Sequence, residues 1–440
     1  MIKVITYGTY DLLHFGHIKL LERAKALGDY LVVGVTADDF DKTRGKINVQ
    51  QSLMERIEAV RATGIADEII VEEYEGQKID DIQRYGIDIF TVGSDWEGKF
   101  DYLNEYCKVV YLPRTQGVSS SDLRSENTRI SVGLVGNTQF MNKVINEIKF
   151  VNGLKTGGIC TDVPDRFLMN PDVKCAASYD ELLDNNDAVY IRSEPSQHYE
   201  HILKALNHNK HILCEAPMTL DEKQWEELQS IAKEKNLVLM DAVKTAYATA
   251  YARLLLLIKS GCIGDIKSVD VTCTSLKNNS DTNKYEWDCL YEWGPTALLP
   301  VFQILGTKYK DVKIAAHSAS TNKTIGFLKG FFLFDKAVAT IKIGDAVKSE
   351  GDLIISGTKG YIYVPSPWWK TDYFEVRFEN SNDNKRYFYQ LDGEGIRYEL
   401  VEFARAVSHP ASTSPISSEV SRAICSFVER VDSGRELYEI

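Results

Sequence analysis

Gly8-Thr9-Tyr10-Asp11-Leu12-Leu13-His14-Phe15-Gly16-His17 decides how the first part of the chain is read. It follows the apolar run Ile2 to Tyr7, a strand pattern, and opens a segment after His17 whose Ile18, Leu21 and Ala24 fall on one helical stripe. A turn between a strand and a helix presents unpaired backbone N–H groups at the positive end of the helix dipole, which favours an anion. His14 and His17 bracket Gly16, which lets the backbone approach a ligand closely. Against a bound triphosphate each imidazole becomes a donor to phosphate oxygens, where charge accumulates during displacement at the α-phosphate. Taken alone, the pair reads equally well as two surface or core histidines, because short motifs recur by chance.

Outward from this turn, the helical stripe stops at Gly28, a residue suited to the C′ position. The β-type runs Tyr30 to Thr36, Glu68 to Val71, Ile87 to Val92 and Val109 to Leu112 then alternate with helical patterns, the rhythm of a parallel sheet wrapped by helices. The sequence turns polar at Ser125 to Thr128, and a fresh strand and turn, ISVGLVGN, starts at Ile130. A stripe of Phe140, Val144, Ile145 and Ile148, a strand ending near Asp162 and the run Ala188 to Ile191 continue this second α/β pattern to about Tyr247. From Ile266 the runs IKSVDVTC, GFLKGFFLF, AVATIKIG, GDLIISG and YFEVRF predict a largely antiparallel sheet. The expected architecture is α/β throughout. A Rossmann-like domain spans residues 1–127, a second Rossmann domain residues 128–248, and a sheet-rich α/β domain residues 249–440.

A chain of 440 residues fits several domains at roughly 100 to 200 residues each. Hydrophobic residues at 44% and charged residues at 26% suffice for ordinary cores, which argues against disorder. Lys+Arg number 51 and Asp+Glu 63, so the formal charge of 51 − 63 = −12 opposes non-specific binding to nucleic acid or anionic lipid. Neither is expected as a partner, and any phosphate must be held locally. The eight cysteines contain no Cys-x-x-Cys pair and no metal-ligand spacing, as in reduced thiols. No signal-peptide pattern and no window of about 18 apolar residues is present, so a cytoplasmic protein is expected.

The segment GTYDLLHFGHIKLLERAKALGDYLVV, together with Val92-Gly93-Ser94-Asp95-Trp96-Glu97-Gly98-Lys99-Phe100 and Leu112-Pro113-Arg114-Thr115-Gln116-Gly117-Val118-Ser119-Ser120, resembles the glycerol-3-phosphate cytidylyltransferases of the HxGH nucleotidyltransferase superfamily. The likeness runs from residue 1 to about 125. It implies that the phosphate of a small polyol phosphate attacks the α-phosphorus of CTP, giving a CDP-polyol and pyrophosphate with no covalent enzyme intermediate. Catalytic roles are implied for His14, His17, Lys46 and Arg114, and CTP contacts for Thr9, Tyr10, Asp11, Gly16, Arg44, Gly93, Asp95, Thr115, Ser119 and Ser120. Mg²⁺ should accompany the triphosphate, no protein ligand for it being singled out, and a homodimer is expected. Arg44 and Lys46 read alternatively as part of a solvated charged loop. Two positions depart from the family: its arginine in IRYVDEV is Gly64 here, with Arg61 one turn earlier, and its acidic pair before the tryptophan is Ser94-Asp95. These bear on the acceptor, not on the reaction class.

Residues 130–440 resemble the glucose-fructose oxidoreductase and inositol dehydrogenase (Gfo/Idh/MocA) family at Asp187-Ala188-Val189-Tyr190-Ile191, at His211-Ile212-Leu213-Cys214-Glu215-Ala216-Pro217 and along ARLLLLIKSGCIGDIKSVDV. The resemblance implies a dinucleotide fingerprint, which here reads Gly136-Asn137-Thr138-Gln139-Phe140-Met141 and keeps only the first glycine. Asp162 is placed to accept from a ribose 2′-OH, as in enzymes that use NAD, or is an ordinary loop aspartate. Ser193 and Glu215 complete the candidate contacts to NAD(P). The family's Glu-Lys-Pro is Glu215-Ala216-Pro217 and its Asp-x-x-x-His is Glu292-Trp293-Gly294-Pro295-Thr296, so the usual lysine and histidine are absent. Lys244, with Tyr247 nearby, is the candidate displaced acid/base, or else a solvated lysine at the rim. Two functions follow. Either a cytidylyltransferase carries an oxidoreductase-like module without redox chemistry, or a bifunctional enzyme reduces a keto-sugar phosphate with NAD(P)H to supply its own polyol phosphate.

Arg114→Lys is expected to raise KM or lower kcat for CTP, because an ammonium cannot reproduce the planar fork of a guanidinium on phosphate oxygens. Steady-state pyrophosphate release measures this, and unchanged constants would remove Arg114 from the site.

Overall fold

Val, Ile and Leu runs buried on both faces build the centre of the first unit. In the computed structural model, β1 (Lys3–Gly8), β2 (Tyr30–Thr36), β3 (Glu68–Glu72), β4 (Ile89–Gly93) and β5 (Lys108–Leu112) form one parallel sheet in the order β3-β2-β1-β4-β5. Neighbouring residues of one strand point to opposite faces. Val4 and Leu31 therefore pack with Leu21 and Ala24 of α1 (Phe15–Lys25) and with Ile57 and Val60 of α2 (Leu53–Ala62), whereas Ile5 and Val32 pack with Ile82 of α3 (Gln77–Tyr85). The structure describes residues 1–37, 49, 51–73, 76–113, 130–151, 153–167, 173–276, 287–319, 324–389, 391–408, 414–434 and 437–439. The chain divides into two units, Met1–Thr128 and Arg129–Ile440.

Two local expectations are corrected. α1 begins at Phe15, before His17, because the His14 side chain caps it. It ends with Ala26 as its cap, and Gly28 is required for another reason than a left-handed C′ position: a Cβ there would lie 2.6 Å from the Ile2 carbonyl oxygen.

The second unit starts with β6 (Ile130–Gly136), β7 (Leu154–Cys160), β8 (Ala188–Arg192), β9 (His211–Glu215) and β10 (Leu239–Ala242), a parallel sheet in the order β10-β9-β8-β6-β7. Helices α4 (Phe140–Ile148), α5 (Tyr179–Asp184), α6 (Pro195–Asn207) and α7 (Glu222–Glu234) fall within it, and α8 (Thr249–Lys259) leads to the second sheet. Among the described residues that sheet has nine strands: β11 (Ile266–Thr274), β12 (Asp311–Ala319), β13 (Thr324–Leu333), β14 (Val338–Gly344), β15 (Leu353–Gly357), β16 (Gly360–Val364), β17 (Tyr373–Phe378), β18 (Lys385–Phe388) and β19 (Leu437–Glu439). Most pairs are antiparallel, but β11 and β14 run parallel, as do β12 and β19. Packed on this sheet is α9 (Cys289–Leu305), a helix with Pro295 and Pro300 inside it. Both prolines oppose helix on propensity alone, and burial of the helix's apolar residues overrides them.

The last two helices, α10 (Ile396–Ser408) and α11 (Ser418–Asp432), return to the parallel sheet. Trp225 on α7 donates its indole N–H to Ser421 on α11 at 2.9 Å, and Cys425 joins the core with Trp225 and Leu228. Among the described residues no helix is long and apolar enough to cross a membrane.

Both parallel sheets reverse strand order beside their first strand, between β1 and β4 and between β6 and β8. A crevice opens at the carboxyl ends of strands at such a point. In the first unit its edge is pinned by Arg56 on α2, fully buried, which donates to the carbonyl oxygens of Thr9 (2.7 Å), Thr36 (2.8 Å) and Gln51 (3.1 Å). Arg56→Met is expected to destabilise the first unit by about 3 kcal/mol, since it strands buried carbonyls. Urea unfolding of the full chain reads this as an earlier first transition, and an unshifted transition would show that the guanidinium holds nothing.

Candidate active sites

After β1 the chain crosses from Gly8 to α1 through a turn in which Tyr10 (φ 53°) and Leu12 (φ 48°) both adopt left-handed backbone. Such positions are strained for residues other than glycine, and the surrounding contacts hold them there. The Tyr10 ring is buried against Gly8, where a Cβ would come within 2.9 Å of it. Asp11 is buried too, and its carboxylate accepts from the Gln51 N–H at 2.9 Å while the Gln51 side chain accepts from the Leu12 N–H at 2.8 Å. Asp11 thus clasps the turn to the start of α2 from the inside.

His14 caps α1, its Nδ1 accepting from the Gly16 N–H at 3.0 Å. A neutral His14 in this arrangement carries its proton on Nε2, which becomes a donor. The His17 ring stacks on it, with centroids 3.9 Å apart and planes at 24°. Tyr10 meets His17 edge-on at 5.6 Å. Both imidazoles are half-buried at the N-terminus of α1, the helix that follows β1, and β1 neighbours β4. Gly93 closes β4, and Asp95 follows in the short 3-10 turn Ser94–Trp96. The β1–β4 register pairs Thr6 with Thr91, two residues before each of these strands ends. Thr9 contributes its carbonyl to Arg56, and Gly16 its N–H to His14. Arg44, Lys46, Arg114, Thr115, Ser119 and Ser120 lie outside the described residues.

Arg56 and Gln51 were not singled out by the sequence. The signal for Arg56 was present, an arginine on the apolar stripe of α2 between Leu53, Ile57 and Val60. The buried pair of Lys78 with Glu72, the last residue of β3, was equally unsignalled, and Glu72 also accepts from the Thr36 hydroxyl at 2.9 Å.

In the second unit the turn after β6 meets the end of β8. Gly136 (φ 152°) sits so close to β8 that a Cβ would be 2.4 Å from the Arg192 carbonyl oxygen. Asn137 accepts from the Thr161 hydroxyl and from the Asp162 N–H, both at 2.9 Å, and donates to the Asp162 carboxylate at 3.1 Å. Arg192 is buried. Its guanidinium donates to the Thr138 hydroxyl (3.2 Å) and to Glu292 (2.8 Å), pairs with Glu215 (3.4 Å), and lies 4.5 Å and 4.3 Å from the ring centroids of Phe140 and Trp287.

Beside this lock, the Tyr190 hydroxyl donates to Glu215 at 2.5 Å and lies 3.3 Å from Glu399. Burial drives the Glu215 carboxyl up against the opposing pull of Arg192, and burial with the Glu215 charge holds Glu399 far above the usual carboxylate range. Lys244, two residues past β10, lies 5.5 Å from the Phe140 ring centroid. Burial lowers its pKa, while Glu215 and Glu394 oppose the shift. Such an amine is chemically suited to acid/base work. Tyr247 is differently placed: its hydroxyl is buried and donates to the Asp241 carbonyl at 2.5 Å. The Ser193 hydroxyl meets His201 Nδ1 at 2.8 Å.

The family model described as cytidylyltransferase-like matches residues 5–126. Glycerol-3-phosphate cytidylyltransferase of Bacillus spizizenii is 50% identical over 126 residues, which cover 29% of this chain and 97% of that relative. The chain belongs to the cytidylyltransferase-like family. A second family model, oxidoreductase family with NAD-binding Rossmann fold, matches residues 130–242. Trans-1,2-dihydrobenzene-1,2-diol dehydrogenase of Xenopus laevis is 24% identical over 258 residues, covering 56% of this chain and 77% of that relative. A 3-ketoreductase from Actinomadura kijaniata, solved with NADP and TDP-benzene, superposes with a TM-score of 0.63 at 20% identity over 71% of this chain and 100% of that chain.

This cytidylyltransferase-like protein is therefore a nucleotidyltransferase fused to a Gfo/Idh/MocA-type unit, whose fold is one that holds NADP in a solved structure. The ribose end of a dinucleotide would find the Asp162 carboxylate, but the pyrophosphate does not fit the fingerprint turn as it stands. There Thr138 adds a side chain, and its hydroxyl is engaged by Arg192. NADH and NADPH are accordingly expected to bind the full chain with a Kd of about 1 mM or weaker, ~4 kcal/mol. Fluorescence titration tests this, and micromolar binding would mean that Arg192 and Thr138 part readily.

Proposed function

We propose that the first unit transfers CMP from CTP to the phosphate of glycerol 3-phosphate or a similar polyol phosphate. An oxygen of the acceptor phosphate bonds to the α-phosphorus, the bond from that phosphorus to the bridging oxygen of the β-phosphate breaks, and pyrophosphate leaves. The observation that carries this reading is the stacked pair His14 and His17 at the N-terminus of α1, with Nδ1 of His14 accepting from the Gly16 N–H so that a neutral ring carries its proton on Nε2. Donors fixed before the reaction stabilise charge that develops on phosphate oxygens without reorganising. The named activity of the Bacillus relative supports CTP and a polyol phosphate as the substrates. Gly93 and Asp95, at the end of β4 and in the turn after it, are read as the nucleoside side of the crevice. Arg114, Lys46, Arg44, Thr115, Ser119 and Ser120 keep the roles that the family resemblance implies.

Among the described residues no group of three His, Cys, Asp or Glu is arranged to hold a metal ion. Mg²⁺ is read as arriving on the triphosphate, and no step is assigned to it.

The second reading, that the other unit reduces a keto-sugar phosphate, has one observation in its favour, the burial-lowered amine of Lys244 at the end of β10. The Arg192–Thr138 contact stands against it. We therefore read this unit as an oxidoreductase-fold module attached to the nucleotidyltransferase.

His17→Ala is expected to lower CMP transfer by at least about 10², as removal of a preorganised donor does. The assay is pyrophosphate release from CTP and Mg²⁺ over a panel of polyol phosphates. A near-normal kcat would refute the role of His17, and silence across the panel with wild-type protein would refute the reaction.

A further inference from the structure

Three lysines from three separate elements converge on one carboxylate above the parallel sheet of the second unit. Lys143 comes from α4, Lys244 from the turn after β10, and Lys370 from the loop after β16. Their ammonium groups lie 3.0, 3.8 and 3.1 Å from the carboxylate of Glu394. Among the described residues Glu394 is the one carboxylate within 4.0 Å of Lys143 or Lys370. The loop that carries Lys370 is tied to the turn that carries Lys244, because the Thr245 hydroxyl donates to the Trp369 carbonyl at 2.8 Å.

Glu394 reaches this place at a conformational cost. It and Gly393 both have left-handed backbone (φ 55°), a conformation that is uncommon for glutamate. A Cβ on Gly393 would lie 2.2 Å from the Glu147 carboxylate of α4. The turn is also fastened by Arg397, which pairs with Glu147 at 2.8 Å and Asp392 at 3.5 Å. Burial alone would raise the Glu394 carboxyl, but the hydrogen bonds from Lys143 and Lys370 outweigh it and hold the pKa at about 2. The charges facing Lys244 from below are those of Glu215 and Glu399, and neither carboxyl ionises readily.

A carboxylate is an incomplete match for three ammonium groups. It has two oxygens and one charge, and here one oxygen faces both Lys143 and Lys244. A phosphate monoester carries close to two charges and three terminal oxygens. Lys143 and Lys244 lie at the carboxyl ends of the parallel strands, where open α/β sheets bind their ligands. We propose that Lys143, Lys244 and Lys370 form a seat for the phosphate group of a small phosphate ester, and that Glu394 occupies this seat in the ligand-free protein and leaves it when the ester binds. The site is built from residues of the second unit and does not depend on the chemistry proposed for the first.

The test is hydrogen exchange by mass spectrometry on the full chain at constant ionic strength, with inorganic phosphate, glycerol 3-phosphate or chloride added. The readout is the peptide covering residues 391–398. Phosphate and the ester should speed exchange of this peptide, whereas chloride should not. Glu394→Gln, close in shape, should lower the half-saturating concentration by about tenfold, ~1.4 kcal/mol. Lys143→Met with Lys370→Met should abolish the response. A lower half-saturation with glycerol 3-phosphate than with inorganic phosphate would support the ester as ligand, and the reverse order would overturn that part. The whole proposal falls if neither wild type nor Glu394→Gln responds, if chloride acts equally, or if the double variant responds as wild type does.

Discussion

The Arg56 guanidinium, buried and bonded to the carbonyls of Thr9, Thr36 and Gln51, ties the turn after β1 to the end of β2 and to the start of α2. Those three carbonyls belong to the end of β1, the end of β2 and the approach to α2, so one rigid fork sets their separation. The turn from Tyr10 to His14 is stretched over that fork and clasped by Asp11 and Gln51. Two left-handed residues can persist there because neighbouring contacts over-determine them. Their effect is to set His14 down as the cap of α1, with His17 stacked behind it.

A second buried arginine has the opposite consequence. Arg192 ends β8, beside β6 where the second parallel sheet reverses strand order, and its partners are side chains instead of strand-end carbonyls. Thr138, Glu215 and Glu292 satisfy it and two aromatic rings cover its faces, so the crevice floor is filled. Removing one member of such a group leaves a buried charge without compensation, which makes the lock hard to dismantle one side chain at a time. Two units built on the same kind of parallel sheet thus differ at the turn after their first strand, which Arg192 and its partners fill in the second unit, and fold alone does not decide the chemistry.

The net charge of −12 conceals this distribution. Positive groups are gathered where strand ends meet, at the helix N-terminus beside His14 and at the three lysines around Glu394. A protein acidic overall can hold phosphate groups at such points because fields at short range are set by the nearest charges and screened beyond about 10 Å.

Apolar periodicity determined most of the secondary structure, since strands buried on both faces need continuous Val and Ile runs; Tyr30 to Thr36 was legible to the residue. The strand-turn-helix motif with two histidines was legible as an anion site because it is local in sequence. What was not legible depends on distant partners. The α9 helix was hidden by Pro295 and Pro300, which only burial overrides, and although the second sheet is largely antiparallel as expected, its two parallel pairs, β11 with β14 and β12 with β19, were not legible, because pairing is settled between strands far apart in the chain. Asp11 belonged to the motif by position, but Gln51, 40 residues on, turned it inward. Thr138 was readable as a crowding side chain, yet Arg192, 54 residues away, made the crowding a bond. Lys143, Lys370 and Glu394 carried no motif at all. The sequence determined by itself what depends on neighbours along the chain, whereas only the tertiary structure decided which buried charges found partners, because desolvation leaves a charge stable only where folding supplies one.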